Sequence, residues 1–372
     1  MRILYFTRDY TPHDYRFLAA LARTEHHVSM LRLECRGPQR EDRSVPAQIE
    51  QIPWRGGLRP ARWQDVPGLL LGLKRVIRKL QPQVIHAGSI QTAAFLTALA
   101  GFHPLVSMSW GSDLLRDVQR SRLSRWAAVF TLQRSSVLLG DCEAVRQKAV
   151  QLGFPAGRIV LFPWGVDLQE FSPAPNVELR RRLGWEGAFV LLSLRAWEPL
   201  YGVDVLVRAF LAAAQELPDL RLLLLGTGSQ AGLLRQMVER SSMQERVYWG
   251  GQVTQSNLPS FYRSSDLYIS ASHSDGSSVS LMEALACGLP VLLSDIPANR
   301  EWVTPGEQGW LFADGDWQAL AANIVTAARQ RSQLAAKAEA ARKLAEQRAD
   351  WSKNFKKLLR AYEMALQPEA SR

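Results

Sequence analysis

The sequence predicts an α/β protein of two doubly wound domains. Three observations lead there: 372 residues with 47% apolar content, two successive series of short apolar stretches separated by helix-like segments, and a Pro- and Gly-rich interruption between the series. A chain of this size exceeds one ordinary domain and carries enough apolar material for two cores.

The first series runs through residues 2–7, 28–33, 83–87 and 104–109, with β-branched or aromatic members in each stretch. Strands alternating with helices read as a parallel sheet. After Trp110 the pattern predicts one amphipathic helix to about residue 132, a strand at 136–140, and a helix starting near Cys142 with Asp141 as candidate cap. The interruption is FPWGVDLQEFSPAP, residues 162–175, followed by a basic helix at 176–183, and the domain boundary is placed between 165 and 166. The second series comprises 188–194, 219–226, 246–251, 266–272 and 289–295, each stretch followed by a helix candidate. A last helix at 351–367 carries Trp351, Phe355, Leu358, Leu359 and Tyr362 near helical spacing and is expected to complete the first domain.

Composition narrows the setting. Cys35, Cys142 and Cys287 are far apart and form no CxxC pair, which argues against a disulfide framework or zinc knuckle and for a cytoplasmic protein. No apolar run reaches spanning length, so a soluble or peripherally bound protein is expected. The net charge of +10 is uneven: residues 1–170 hold 23 Lys and Arg against 14 Asp and Glu, the remainder 22 against 21. That field favours an anionic partner, and without a nucleic-acid module or stacking pattern nucleic acid is not expected. PGLLLGLKRVIRKL, residues 67–80, predicts a helix with Leu69, Leu70, Leu73, Val76, Ile77 and Leu80 toward one side and Lys74, Arg75, Arg78 and Lys79 toward the other. With Arg116, Arg120, Arg122 and Arg125 it forms an ordinary charged outer face, an attachment surface for anionic lipid or a contact for a soluble anionic partner.

In open parallel sheets, ligands bind beyond the carboxyl ends of the strands, so chemistry is sought there. Gly226 and Gly228, in the G-T-G that ends one strand, permit a tight turn and read equally as a plain connection or a nucleotide contact. The full GxGxxG and the GxxxxGK[ST] loop are missing, which excludes the ordinary dinucleotide and triphosphatase readings. In SHSDGSSVSLMEALACGLPVLLSDIPANREWV, residues 272–303, a Ser- and Gly-rich turn leads into a helix. The helix begins near Ser278, Val279 and Ser280, and its free N–H groups suit a diphosphate. Glu283, one turn in, reads as a ribose contact or a solvated helix residue. Asp275 reads as a sugar contact or a turn residue. Arg195, directly after a strand, reads as a phosphate clamp or one half of an ion pair. His273 reads as a turn residue. In the first domain, Asp113 and His86 are placed at strand ends; in RDYTPHDYRF, residues 8–17, His13 and Asp14 are acceptor candidates, with helix capping the competing role for Asp14.

The segment from Asp275 to Glu283 resembles the E-x7-E motif of the large retaining glycosyltransferase family with the GT-B fold, known as family 4 or group 1. The resemblance continues through VIHAG (84–88), SWGSDLL (109–115), FPWGVDLQEFSP (162–173), RAWEPLYGVDVL (195–206) and GTG (226–228). It implies two Rossmann-like domains facing each other across a cleft. The second domain would bind a nucleoside diphosphate sugar, with Arg195 and the helix start on the phosphates, Glu283 on the ribose and Asp275 beside the transferred sugar. Asp113, His86 and Trp110 would lie on the sugar or acceptor side. Three positions depart from the common pattern: Asp275 replaces the first glutamate, Tyr201 stands where many members have a phosphate-binding lysine, and Trp110 where many have histidine.

The expected activity is retaining transfer of the sugar to a hydroxyl of a glycan, lipid-linked or small-molecule acceptor. No carboxylate pair is spaced for a glycosidase mechanism. The departing diphosphate, steadied by Arg195 and helix N–H groups, would take the acceptor proton, and no metal is required. A GT-B epimerase or phosphorylase, or a non-catalytic sugar-nucleotide binding protein, remains the alternative.

Overall fold

The computed structural model describes residues 1–34, 41–58, 61–174 and 178–367. Cys35 and the start of the basic helix expected at 176–183 lie outside them; the described part of that helix is Glu178–Leu183. The chain forms two compact units, Met1–Pro163 with the last helix from Ser352, and Trp164–Trp351.

The first unit holds a seven-stranded parallel sheet in the order β3-β2-β1-β4-β5-β6-β7. Its strands are β1 Arg2–Thr7, β2 His27–Arg32, β3 Glu50–Gln51, β4 Val84–Gly88, β5 Leu105–Met108, β6 Val137–Gly140 and β7 Ile159–Leu161. The second unit has six parallel strands ordered β10-β9-β8-β11-β12-β13. These are β8 Phe189–Ser193, β9 Leu220–Leu225, β10 Val247–Gly251, β11 Leu267–Ser270, β12 Val291–Ser294 and β13 Gly309–Phe312. The central strands are buried on both faces, as helices covering a parallel sheet require. Successive residues serve opposite layers: Phe189 and Leu191 pack under helices Val203–Glu216 and Trp317–Arg329, while Val190 and Leu192 pack under Val279–Ala286 and Leu334–Arg348.

In each sheet the strand order reverses at one place, between β1 and β4 and between β8 and β11. Neighbouring connections leave toward opposite faces there, which opens a crevice at the carboxyl ends. The sequence motifs therefore fall at the two topological switch points.

Three expectations need correction. Strands β3, β7 and β13 are additional. The helix expected from Trp110 to 132 is broken into Ser112–Leu115, a 3₁₀ turn and Arg122–Gln133, because Ser121 is extended and caps a new start by accepting from the Ser124 N–H at 3.0 Å. The N-cap position of helix Glu143–Gln151 is Cys142, not Asp141. In helix Val66–Leu80, Leu69, Leu73 and Val76 are buried against the sheet, while Lys74, Arg75, Arg78 and Lys79 are exposed together with Leu71, at 60%. The last helix, Trp351–Leu366, buries Leu358, Ala361 and Tyr362. Cys142 and Cys287 are buried and form no disulfide. Among the described residues, no helix is long and apolar enough to cross a membrane.

Candidate functional site

At the switch point of the second unit, the chain leaves β8 through Arg195, while β11 leads through the 271–278 turn into helix Val279–Ala286. The Arg195 guanidinium lies 2.7 Å from the Asp275 carboxylate and donates to Ser278 Oγ at 2.7 Å and Ser280 Oγ at 3.4 Å. Both charged side chains are largely buried, at 12% and 19% exposure. Burial opposes the Arg195 charge, but the Asp275 carboxylate more than offsets it and holds the guanidinium above its ordinary value. Ser280 Oγ also meets Tyr268 Oη at 2.8 Å and Ser278 Oγ at 3.0 Å, so the helix start, the end of β11 and Arg195 form one network. The amides of Val279 and Ser280 open the helix, where no intrahelical acceptor exists for them. Of the two readings of Arg195 the ion pair is realised, and the pair sits at the helix start.

Tyr201 lies against the same group, with the Arg195 guanidinium 4.4 Å from its ring centroid. Tyr201 thus gives the Arg195 cation an aromatic platform.

Glu283 is not a solvated helix residue. It is 3% exposed, and its carboxylate accepts from Gln255 Nε2 at 2.9 Å and Tyr262 Oη at 2.8 Å. These bonds tie helix Val279–Ala286 to helix Leu258–Arg263 and the turn after β10. Gly226 and Gly228 are explained by packing: a Cβ on Gly226 would lie 2.7 Å from the Arg195 carbonyl oxygen, and one on Gly228 2.3 Å from that of Trp197. The G-T-G turn therefore presses directly on the backbone that carries Arg195, held by Trp197 N–H to the Thr227 carbonyl at 2.9 Å. His273 lies in the turn and pairs with Asp314 at 2.6 Å.

The first unit distributes its candidates differently. Trp110, after β5, stacks obliquely on His13, after β1, with ring centroids 5.3 Å apart. Gly88 at the end of β4 lies beneath them: its Cβ would meet the Trp110 indole nitrogen at 3.1 Å. Those two residues do share the strand-end region. The other three turn inward. His86 is in the middle of β4, between Tyr5 and Val106 in register, and fully buried. Its Nδ1 meets Tyr362 Oη at 2.7 Å and its Nε2 faces Met108 Sδ at 3.3 Å. Burial pushes its pKa down to about 3, so the ring is neutral. Asp113 is 4% exposed and accepts from the Ile90 N–H at 3.0 Å, Ser109 Oγ at 2.5 Å and the Leu114 N–H at 2.9 Å, which pins the loops after β4 and β5. Burial pushes its carboxyl up, against the pull of those bonds. Asp14 closes a capping box with Thr11 at the start of helix Pro12–Leu21 and accepts from Tyr5 Oη at 2.9 Å, so its capping role is realised.

Tyr262, Tyr268 and Gln255 were not singled out by sequence. Each contributes only a polar tip from an apolar or turn segment, and no spacing pattern links them to Glu283 or Ser280. A tyrosine inside an apolar strand, as in LYIS of β11, was the one available signal.

Each unit is a Rossmann-like parallel sheet with a crevice at its topological switch point, and comparison with known proteins identifies the class. Residues 176–358 match the glycosyl transferases group 1, and residues 13–170 match glycosyltransferase family 4. A phosphatidyl-myo-inositol mannosyltransferase of Mycobacterium leprae is 34% identical over 350 residues, 88% of this chain and 86% of that relative. A D-inositol 3-phosphate glycosyltransferase of Thermobispora bispora is 30% identical over 57% of this chain and 52% of its own length. The crystal structure of Anabaena Alr3699/HepE in complex with UDP-glucose superposes with a TM-score of 0.82 at 21% identity, covering 98% of this chain and 99% of that one. The protein belongs to the group 1, family 4 glycosyltransferases, and its two Rossmann-like units are those of the GT-B fold.

Proposed function

We propose that this glycosyltransferase takes a sugar from a nucleoside diphosphate sugar and passes it, with retention at the anomeric carbon, to an acceptor hydroxyl. The observation that carries the reading is the buried Arg195–Asp275 pair at the start of helix Val279–Ala286, at the switch point of a parallel sheet. A guanidinium beside helix-start N–H groups is an anion site, which a phosphate takes up by replacing part of the Arg195 bonding to Asp275, Ser278 and Ser280. UDP-glucose in the Anabaena structure supports a nucleotide sugar as donor.

In this scheme the bond between the anomeric carbon and the β-phosphate oxygen breaks, and the acceptor oxygen bonds the same face of that carbon. The acceptor proton passes to the departing phosphate oxygen. Arg195 and the helix N–H groups of Val279 and Ser280 meet the charge that grows on that oxygen. Asp275 holds Arg195 in place and borders the transferred sugar, and Glu283 orders the ribose side. The scheme calls on no metal. Trp110 and His13 belong to the acceptor side. The exposed basic face of helix Val66–Leu80 supports peripheral attachment to anionic lipid on the cytoplasmic side of a membrane.

The test is R195A assayed for transfer from UDP-, GDP- and ADP-sugars to a cell extract. Loss of the clamp is expected to cost about 2–4 kcal/mol of transition-state stabilisation, roughly 30- to 1000-fold in rate. Turnover within threefold of wild type would remove Arg195 from the reaction.

A further inference from the structure

In the second unit, the connection from β12 to β13 and helix Leu334–Arg348 border an open cavity of about 910 Å³. It shares no residue with the network around Arg195. Gln333, Lys337, Ala340, Leu344 and Gln347 line it in steps of three and four, so one whole face of the helix is open. From Gln333 to Arg348 that face runs roughly 22 Å, at about 1.5 Å per residue, and the volume spread over that length leaves a section of roughly 40 Å². A helix, about 10–12 Å across, needs at least roughly twice that section, whereas an extended chain of about seven residues fits both section and length. The cavity is thus a groove for a strand-like occupant.

Its charge is cationic: Arg300, Lys337, Lys343 and Arg348 line it against Glu301 and Glu307. Arg300 is taken by Asp295 at 2.9 Å. Lys337 is only 8% exposed; its ammonium donates to the Gly306 carbonyl and lies 4.8 Å from the centre of the Trp310 ring, with no carboxylate partner among the described residues. A lysine this deep is ordinarily paired. Arg348 lies 4.5 Å from the centre of the Trp302 ring and donates to the Glu301 carbonyl. Burial disfavours its charge by more than the Glu301 carboxylate restores. Lys343, between them on the helix, is exposed and likewise has no carboxylate partner among the described residues. Three cations along the groove thus lack full compensation.

We propose that this groove docks an extended segment of a partner protein in which acidic side chains alternate with small or apolar ones. The spacing supports it. Lys337, Lys343 and Arg348 follow one another at about 9 and 7.5 Å along the helix axis, and every second or third residue of an extended chain recurs at about 6.6–10 Å. Successive side chains of such a chain point to opposite sides, so carboxylates meet the cations while the residues between them meet Val303, Ala340 and Leu344. Two physical points select a peptide over an anionic glycan. Sugar hydroxyls set against those three apolar residues would lose water partners without replacement. The side-chain amides of Gln333 and Gln347 both donate and accept, which suits the alternating groups of a peptide backbone.

The experiment follows the fluorescence anisotropy of a labelled, end-capped peptide of about seven residues alternating glutamate and alanine, titrated with the full chain. Its binding is expected to be at least about tenfold tighter than that of the lysine–alanine counterpart and to weaken as salt rises. Tetragalacturonate and inorganic phosphate should displace it only at about tenfold or more the concentration of unlabelled peptide. Lys343→Glu, an exposed change, and Ala340→Trp, which narrows the groove, should each weaken binding about tenfold or more, while Lys343→Arg keeps it. Thermal unfolding identifies any variant that fails to fold. Undiminished binding in both Lys343→Glu and Ala340→Trp would overturn the site. Displacement by tetragalacturonate or phosphate as readily as by peptide would overturn the peptide class. Displacement by UDP, GDP or ADP would place the peptide at Arg195 and overturn the groove, whereas failure of all three nucleotides to bind touches only the donor reading. Sedimentation covers the remaining occupant: self-association of the wild type that Lys343→Glu abolishes would assign the groove to a second copy of this chain and overturn the partner proposal.

Discussion

The Arg195 guanidinium lies 4.4 Å from the centre of the Tyr201 ring while its terminal nitrogens reach Asp275 and Ser278. The aromatic face orients the cation, and a stack of this kind is worth roughly 0.5–2 kcal/mol. Tyr201→Leu is therefore expected to lower kcat/KM about 3- to 30-fold, and Tyr201→Phe to leave it near wild type because the ring is kept. Equal losses in both variants would assign the effect to the hydroxyl.

Replacing Glu283 by Gln turns one of two acceptor oxygens into a donor facing Gln255 or Tyr262. A buried mismatch of this sort costs about 1–3 kcal/mol, visible as a lowered unfolding midpoint. Titration with the free nucleoside diphosphate separates the roles. Weaker nucleotide binding is expected, with acceptor binding less affected; a stability loss with unchanged affinity would make Glu283 only a tie between two helices.

Gly228→Ala would drive a Cβ against the Trp197 carbonyl oxygen, 2.3 Å away, and that atom is backbone. Overpacking costs about 1–3 kcal/mol, and here the strain falls on the loop that carries Arg195. Denaturant unfolding should show the loss, accompanied by weaker binding of the nucleoside diphosphate. A variant as stable as wild type would mean that the G-T-G turn relaxes freely.

His86 stays neutral in the fold, with a pKa of about 3 against 6.5 in an unperturbed chain. Its folded value is depressed, so its contribution is complete above pH 6.5 and drains as pH falls toward 3, where only the unfolded chain has been taking up the proton. The slope is about 1.4 kcal/mol per pH unit, or about 2 kcal/mol between pH 6.5 and 5. His86→Gln removes this dependence, so the stability of the variant should fall less steeply over that interval. Parallel curves for wild type and variant would contradict a neutral buried His86.

The sequence by itself determined the two parallel-sheet units, because strands buried on both faces are written as continuous apolar runs, and it placed Arg195, Asp275 and Glu283 together beyond the carboxyl ends of neighbouring strands, because they stand in a strand–turn–helix order. The short edges were less legible: Glu50–Gln51 of β3 is polar, and Ile159–Leu161 and Gly309–Phe312 are too brief to stand out beside turns. Only the tertiary structure decided which polar groups face outward. His86, Asp113 and Asp14 lie near the right places along the chain. Yet each points into the protein, where a partner distant in sequence or a loop amide satisfies it: Tyr362 for His86, Ile90 for Asp113, Tyr5 for Asp14. The direction of a side chain at a strand end depends on what packs behind it, and that is set by elements as far away as the final helix. The same reason hid the Tyr201 platform, which meets Arg195 only after the loops beyond β8 have folded.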